Sequence, residues 1–264
     1  MNNFERVIEF NKCFGLPHYD NEQSNILSEN PKLSDLRISL CEEEIEELNQ
    51  AFKTDDFVEV IDALTDELYV VYGAASSFGF DINQMISDIT KDNTNQSNYN
   101  KILNYRGNTI RKLTNLNYKD HLKSNNVLSS LLAKDIGSHC YKTLSKLMSL
   151  IIDLKRFRDE NNFTELKNTL AMLLYNTYLL GIIMNINLDV SFEIVHKSNM
   201  SKLCNTESEA QNTVIWYKNN DNRYDTPSYR LSYNQKYWVI YNESTGKILK
   251  NVNYISANFE SMLR

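Results

Sequence analysis

The chain has 264 residues, of which 42% are hydrophobic and 23% charged, the balance of a soluble globular protein long enough to bury a substantial core in one large or two small domains. Its formal net charge of −6 argues against general binding to nucleic-acid backbones, and no uninterrupted apolar run approaches the length needed to span a bilayer. Four cysteines without a C-x-x-C pair and four histidines without ligand spacing exclude a zinc site or a disulfide frame. They are read as free thiols of an intracellular, reducing, cytoplasmic protein, and the opening Met1–Val7 is not read as a signal peptide.

Only three Pro and seven Gly favour long helices over many tight turns. In chain order, helices are predicted at about 3–15, 33–53, 56–77 and 82–91. A polar loop at about 92–98 follows, then helices at about 98–117 and 121–157. Further helices are predicted at about 162–185 and 189–201, and a last one from Glu207 to Lys218. Beyond it, Tyr237–Tyr241 and Lys247–Lys250 flank Asn242-Glu243-Ser244-Thr245-Gly246 and read as a β-hairpin. Aromatics are dense there, including Trp216, Tyr217, Tyr224, Trp238 and Tyr254. They are either packing or, with Lys247 and Lys250, a cover for a bound nucleotide.

Two groups of carboxylates carry the chemistry. The first is Glu42, Glu43, Glu44, Glu46 and Glu47, and the second is Glu59, Asp62, Asp66 and Glu67. Residues three and four apart share a helix face, so Glu43 or Glu44 aligns with Glu47, and Glu59 with Asp62 and Asp66. Leu40, Leu48, Val58, Ile61, Leu64 and Leu68 recur at the same spacing, which sets some acids beside a buried stripe. Unpartnered carboxylates are costly there, and a divalent cation with a preference for oxygen ligands, Mg²⁺ or Mn²⁺, relieves the cost. The alternative for the Glu run is a solvated face. No G-x-x-x-x-G-K pattern occurs, so a P-loop mechanism is excluded.

The pattern E-E-x-x-E (Glu43, Glu44, Glu47) followed by E-x-x-D (Glu59, Asp62) resembles the signature of the all-α nucleoside triphosphate pyrophosphohydrolases, which include MazG, phosphoribosyl-ATP pyrophosphohydrolase and the dimeric dUTPases. Phe10–Pro17, Arg37–Leu40 and the Ala63–Gly73 helix resemble the same superfamily, the last its MazG-like branch. Val195–Lys202, Val-His-Lys-Ser-Asn-Met-Ser-Lys, resembles a segment that in that branch follows the E-x-x-D helix after one short turn. His196 inside it is read as a structural hydrogen-bonder. The resemblance implies hydrolysis of a nucleoside triphosphate, with dUTP and dCTP leading, to the monophosphate and pyrophosphate. It implies Mg²⁺, with Mn²⁺ as an alternative, on Glu44, Glu47, Glu59 and Asp62. Glu43, Glu44 and Glu47 are the catalytic candidates, with Glu43 the base or outer carboxylate. Lys197, Asn199, Lys202, Lys247 and Lys250 are expected to bind substrate. The alternatives are a nucleotide-sequestering relative without turnover, or a pyrophosphohydrolase for another nucleotide such as phosphoribosyl-ATP.

The displaced Val195–Lys202 segment is explained by an internal repeat. A shift of 106 positions lays Glu59 on Glu165, Leu68-Tyr69 on Leu174-Tyr175, Tyr72 on Tyr178 and Phe80-Asp81-Ile82 on Ile186-Asn187-Leu188. The second copy replaces Glu43 by Ser149, Glu44 by Leu150, Glu47 by Asp153, Asp62 by Asn168 and Asp66 by Met172. The expected architecture is therefore all-α: a duplicated MazG-like helical bundle with a small C-terminal β-hairpin extension. Its expected parts are a first unit at 1–97 with the acids, a degenerate second unit at 98–204, and an aromatic-rich extension at 205–264. The expected partner is a nucleoside triphosphate, with no nucleic acid and no membrane, and the arrangement allows a homodimer of fused pseudo-dimers. The alternative for the second half is an unrelated helical hairpin that shares only Leu periodicity.

Overall fold

The structure, a computed structural model, describes residues 1–91 and 136–263. The loop expected at 92–98, the helix at 98–117 and the first part of that at 121–157 lie outside the described residues. The chain divides into two units: Met1–His18 with Glu193–Asn258, and Tyr19–Phe192 with Phe259–Arg264.

The larger unit is helical, and three of its long helices begin where an Asn or Asp side chain accepts from first-turn amides. A short helix α2 (Ile26–Glu29), not expected from the sequence, precedes α3 (Pro31–Thr54). Asn30 caps α3 through Leu33 N–H, with Pro31 in the first turn. Asp55 ends it in the left-handed region at φ 60°, and Asp56 then caps α4 (Phe57–Phe78) through the amides of Val58 and Glu59. This two-residue connection makes α3 and α4 an antiparallel hairpin. Helix α5 spans Ile82–Lys91. Helices α6 (Ile136–Asp159) and α7 (Phe163–Ile183) form a second packed hairpin, and α4 also packs on α7 and α3 on α6. The turn between α6 and α7 places Asn161 at φ 52° and caps α7 with Asn162.

Helix α4 is the centre of this unit. Val60, Ile61, Ala63, Leu64, Leu68, Val71, Ala74, Ala75 and Phe78 are all at most 1% exposed, so the helix is covered on more than one face. It stops at Gly79, at φ 75°, where a Cβ would lie 2.0 Å from the backbone oxygen of Asn21. The strand-like passage over this end is pinned by Tyr19 N–H to Ser76 O and Gln23 N–H to Phe78 O. Helix α8 (Leu188–Met200) begins in this unit. Its Ser191 and Phe192 meet α4: Thr65 Oγ1 donates to Ser191 Oγ at 2.7 Å, and the Tyr69 ring stacks on Phe192 at 5.2 Å.

The smaller unit contains α1 (Asn3–Phe14), capped by the reciprocal Asn2–Glu5 pair, the end of α8, helix α9 (Glu207–Asn220), and an antiparallel pair of strands. The expected contact of Tyr237–Tyr241 with Lys247–Lys250 is present, but the longer ladder is one the sequence did not announce. Strand β2 (Trp238–Asn242) pairs with β1 (Pro227–Leu231), Tyr229 opposite Ile240, whereas the Lys247–Lys250 arm joins β2 through a single bridge, Tyr241 to Ile248. The arm is held on the other edge of β2 by Asn242 N–H to Lys247 O at 2.8 Å and Leu249 N–H to Ile240 O at 2.9 Å, and the Asn242 amide ties the loop between them to Asp225, Ser244 and Thr245. Ile240 and Leu249 close a core with Cys204, Ala210, Val214 and Tyr217. The helix-with-small-hairpin fold class expected from the sequence is the one observed.

Candidate active site

The Glu run divides between two faces of α3. Glu42 pairs with Lys155 of α6, and Glu46 lies 4.0 Å from Lys53. Glu44 and Glu47 turn instead toward the α4 carboxylates, and the Glu43 charge acts on both of them. Burial, then the charges of Asp66, Glu47, Glu43 and Asp62, push the Glu44 carboxyl up to about 9. Burial, then Glu59 and Glu47, push Asp62 up to about 6. Burial, then Glu43 and Glu59, raise Glu47. All four expected ligands, Glu44, Glu47, Glu59 and Asp62, therefore share one electrostatic site with Glu43 and Asp66. It is graded in depth. Glu43, Glu47 and Glu59 are exposed, while Glu44, Asp62 and Asp66 are half-buried.

Beneath this layer lies Glu67, fully buried, with neither carboxyl oxygen hydrogen-bonded. Burial and then the Glu44 charge hold it well above the usual carboxylate range. One oxygen of Glu44 is likewise buried without a partner. Asp66 and Glu67 stand in the second acid group of the sequence but outside the expected ligand set. Their spacing from Asp62, four and five residues, was the available signal. Deeper on α3, Arg37 is 8% exposed with its Nε unpartnered, and burial lowers its guanidinium to about 10. It lies against Gly73 of α4, where a Cβ would stand 3.1 Å from Nη1, so that glycine makes room for a guanidinium.

The donor set is entirely carboxylate, Glu44 in it has an orphaned buried oxygen, and burial with the neighbouring acids raises the Glu44, Glu47 and Asp62 carboxyls. That chemistry fits a hard divalent cation. Among the described residues no three Asp, Glu, His or Cys side chains yet converge as a ligating set.

The expected substrate-binding residues belong to the smaller unit. Lys197 is exposed and paired with Glu193 at 2.7 Å. Asn199 Oδ1 accepts from Lys202 Nζ at 2.6 Å. His196 Nε2 lies 3.6 Å from Glu9, and burial lowers its pKa. Lys202, Lys247 and Lys250 line one cleft of about 660 Å³ together with Trp216, Tyr224 and Tyr254, and Lys197 and Asn199 are not among its lining residues. The sequence carried no signal for Arg223, which also lines it.

No single helix among the described residues is long and apolar enough to cross a membrane, and all four cysteines are free and buried. No solved structure matches the chain. It is 32% identical over 266 residues, 99% of its own length and 95% of the other's, to a protein of Acanthamoeba polyphaga mimivirus described as uncharacterised. A family model described as phosphoribosyl-ATP pyrophosphohydrolase matches residues 7–93, which contain α3, α4 and every acid of the site. That segment, about a third of the chain, is similar to the phosphoribosyl-ATP pyrophosphohydrolases, a branch of the MazG-like all-α superfamily of pyrophosphohydrolases.

Proposed function

We propose that the protein is a metal-dependent pyrophosphohydrolase that cleaves the α–β anhydride of a nucleoside triphosphate, dUTP or dCTP first, to the monophosphate and pyrophosphate. The observation that carries the reading is Glu44, a half-buried carboxylate with an unpartnered oxygen among four other acids. Such a group is tolerable neutral, or ionised beside a cation. Glu44, Glu47, Glu59 and Asp62 are the residues to hold Mg²⁺ or Mn²⁺, which when bound neutralises phosphate charge and acidifies a water. Glu43, exposed at the rim, takes the proton as water adds to phosphorus and the bridging P–O bond breaks. Phosphoribosyl-ATP is the second substrate reading, favoured by the family match. The free cysteines support a reducing compartment.

The same proposal takes the two hairpins as a fused pair, with the acids kept in the first copy only. Several positions 106 apart support it. Helices α4 and α7 start at Phe57 and Phe163, and α5 and α8 at Ile82 and Leu188. Left-handed residues recur at Asp55 and Asn161, and at Gly79 and Asn185. The hydroxyls of Tyr72 and Tyr178, 106 apart in sequence, meet at 3.1 Å, as equivalents do beside a twofold axis.

The test is product analysis with Mg²⁺ over a panel of ribo- and deoxyribonucleoside triphosphates and phosphoribosyl-ATP. Pyrophosphate and a monophosphate are expected from the wild type, and none from Glu47→Gln or Asp62→Asn. Release of orthophosphate, no turnover at all, or wild-type turnover in both variants would overturn the reading.

A further inference from the structure

The cleft of the smaller unit has a chemistry opposite to that of the whole chain. Against a net charge of −6, it gathers Lys202, Lys247, Lys250 and Arg223 around a single carboxylate, Asp221. Asp221 is already consumed by a forked pair with Arg223, at 2.8 Å and 2.6 Å. Among the described residues neither Lys247 nor Lys250 has a carboxylate partner. Each lies over an aromatic face instead, Lys247 Nζ 5.8 Å from the Tyr224 ring and Lys250 Nζ 4.3 Å from that of Tyr254.

The cleft is also built rather than incidental. Tyr217, 7% exposed, donates its hydroxyl to Lys250 O at 2.9 Å. The buried Asn251 amide donates to Ser201 O and Leu203 O, at 3.2 Å and 2.6 Å. These bonds fix Lys250 and Asn251 against Tyr217 of α9 and the residues that follow α8. Trp216 stands beside it, 46% exposed, with its ring edge-on to Tyr217. Ammonium groups beside aromatic rings, with Trp216 exposed at the side, in a cleft of about 660 Å³ match one class of small molecule, a planar base carrying phosphate.

The geometry points to a metal-independent nucleotide-binding cleft in the smaller unit: Lys202, Lys247 and Lys250 take the phosphates, and Tyr224, Tyr254 or Trp216 takes the base. Binding exchanges the cation–aromatic pairs of the empty cleft for lysine–phosphate and base–aromatic contacts. The cleft rests on the hydrolytic reading for choosing nucleotides among aromatic phosphates. A free nucleotide is preferred over a nucleic-acid strand because the net negative charge of the chain repels a long polyanion.

The test is titration calorimetry of the full chain in EDTA with dCTP, ATP, inorganic pyrophosphate and a single-stranded oligonucleotide. The nucleotides are expected to bind more tightly than pyrophosphate or the oligonucleotide. Lys247→Ala with Lys250→Ala should weaken nucleotide binding by about tenfold or more, and Tyr224→Leu should weaken it while sparing pyrophosphate. Glu47→Gln should leave it unchanged. No metal-free binding at millimolar nucleotide, no effect of the double lysine variant, or pyrophosphate or oligonucleotide bound as tightly as nucleotide would overturn the cleft. Pyrophosphate release with Mg²⁺ alongside any of those results retires the cleft and keeps the hydrolytic reading. Metal-free binding in a protein without turnover does the reverse.

Discussion

A carboxyl group buried without a partner costs about 1–3 kcal/mol even when neutral, and Glu67 is such a group. Glu67→Leu, close in volume and free of polar atoms, should raise stability in chelator by about 1–3 kcal/mol in urea unfolding. A loss would mean that Glu67 has a partner in solution. The raised carboxyls also set a pH dependence. Glu44 goes from an ordinary 4.5 to about 9, and Asp62 from 3.8 to about 6. Between each pair of values the folded chain holds the proton more tightly than the unfolded one. Stability from these groups is therefore present at low pH and lost as pH rises through that window. Thermal unfolding in EDTA should show the midpoint falling from pH 5 toward pH 9. Under the hydrolytic reading, Mg²⁺ should flatten that slope, because a bound cation favours the ionised carboxylates. A slope unchanged by Mg²⁺ would count against the metal site. At this scale the acids themselves were legible, since E-E-x-x-E and E-x-x-D are patterns of residue type. Their grading in depth was not. Which of Glu43, Glu44 and Glu47 is shielded depends on what packs over them.

Helix boundaries are local chemistry, and they were largely legible. The Asp55-Asp56 and Asn161-Asn162 pairs each stop one helix and cap the next with their own side chains. Gly79 illustrates what local chemistry leaves out. It and Gly246 have similar backbone angles, φ 75° and 71°, but a Cβ at Gly246 meets nothing, while one at Gly79 strikes the Asn21 backbone. Gly246→Ala should cost only the left-handed penalty, about 1 kcal/mol. Gly79→Ala should cost about 2–4 kcal/mol, because the chain crossing the end of α4 must also move. Equal losses in denaturant titrations would mean that the crossing is loose. The strand pairing was legible only in part for a related reason. The arms flanking Asn242–Gly246 do meet, at Tyr241 and Ile248, but the longer partner of β2 is Pro227–Leu231, and a strand's second neighbour is chosen by the packed chain.

On the scale of the whole molecule, the Tyr72–Tyr178 hydroxyl contact is the most direct handle on the proposed repeat. Tyr72→Phe and Tyr178→Phe should each cost about 1 kcal/mol, and the double variant little more than either, a coupling of about 1 kcal/mol. Strict additivity would mean that the two hydroxyls do not meet. The sequence by itself determined the helical class, the caps, the carboxylate signature and the family likeness of residues 7–93, because these reside in residue type and short-range spacing. Tertiary structure alone decided that Glu42 and Glu46 serve ion pairs while Glu44 and Glu47 meet the α4 acids, that Glu67 is sealed beneath them, and that distant lysines and aromatics share one cleft. Each of those facts depends on which surfaces exclude water, and burial is a property of the packed chain.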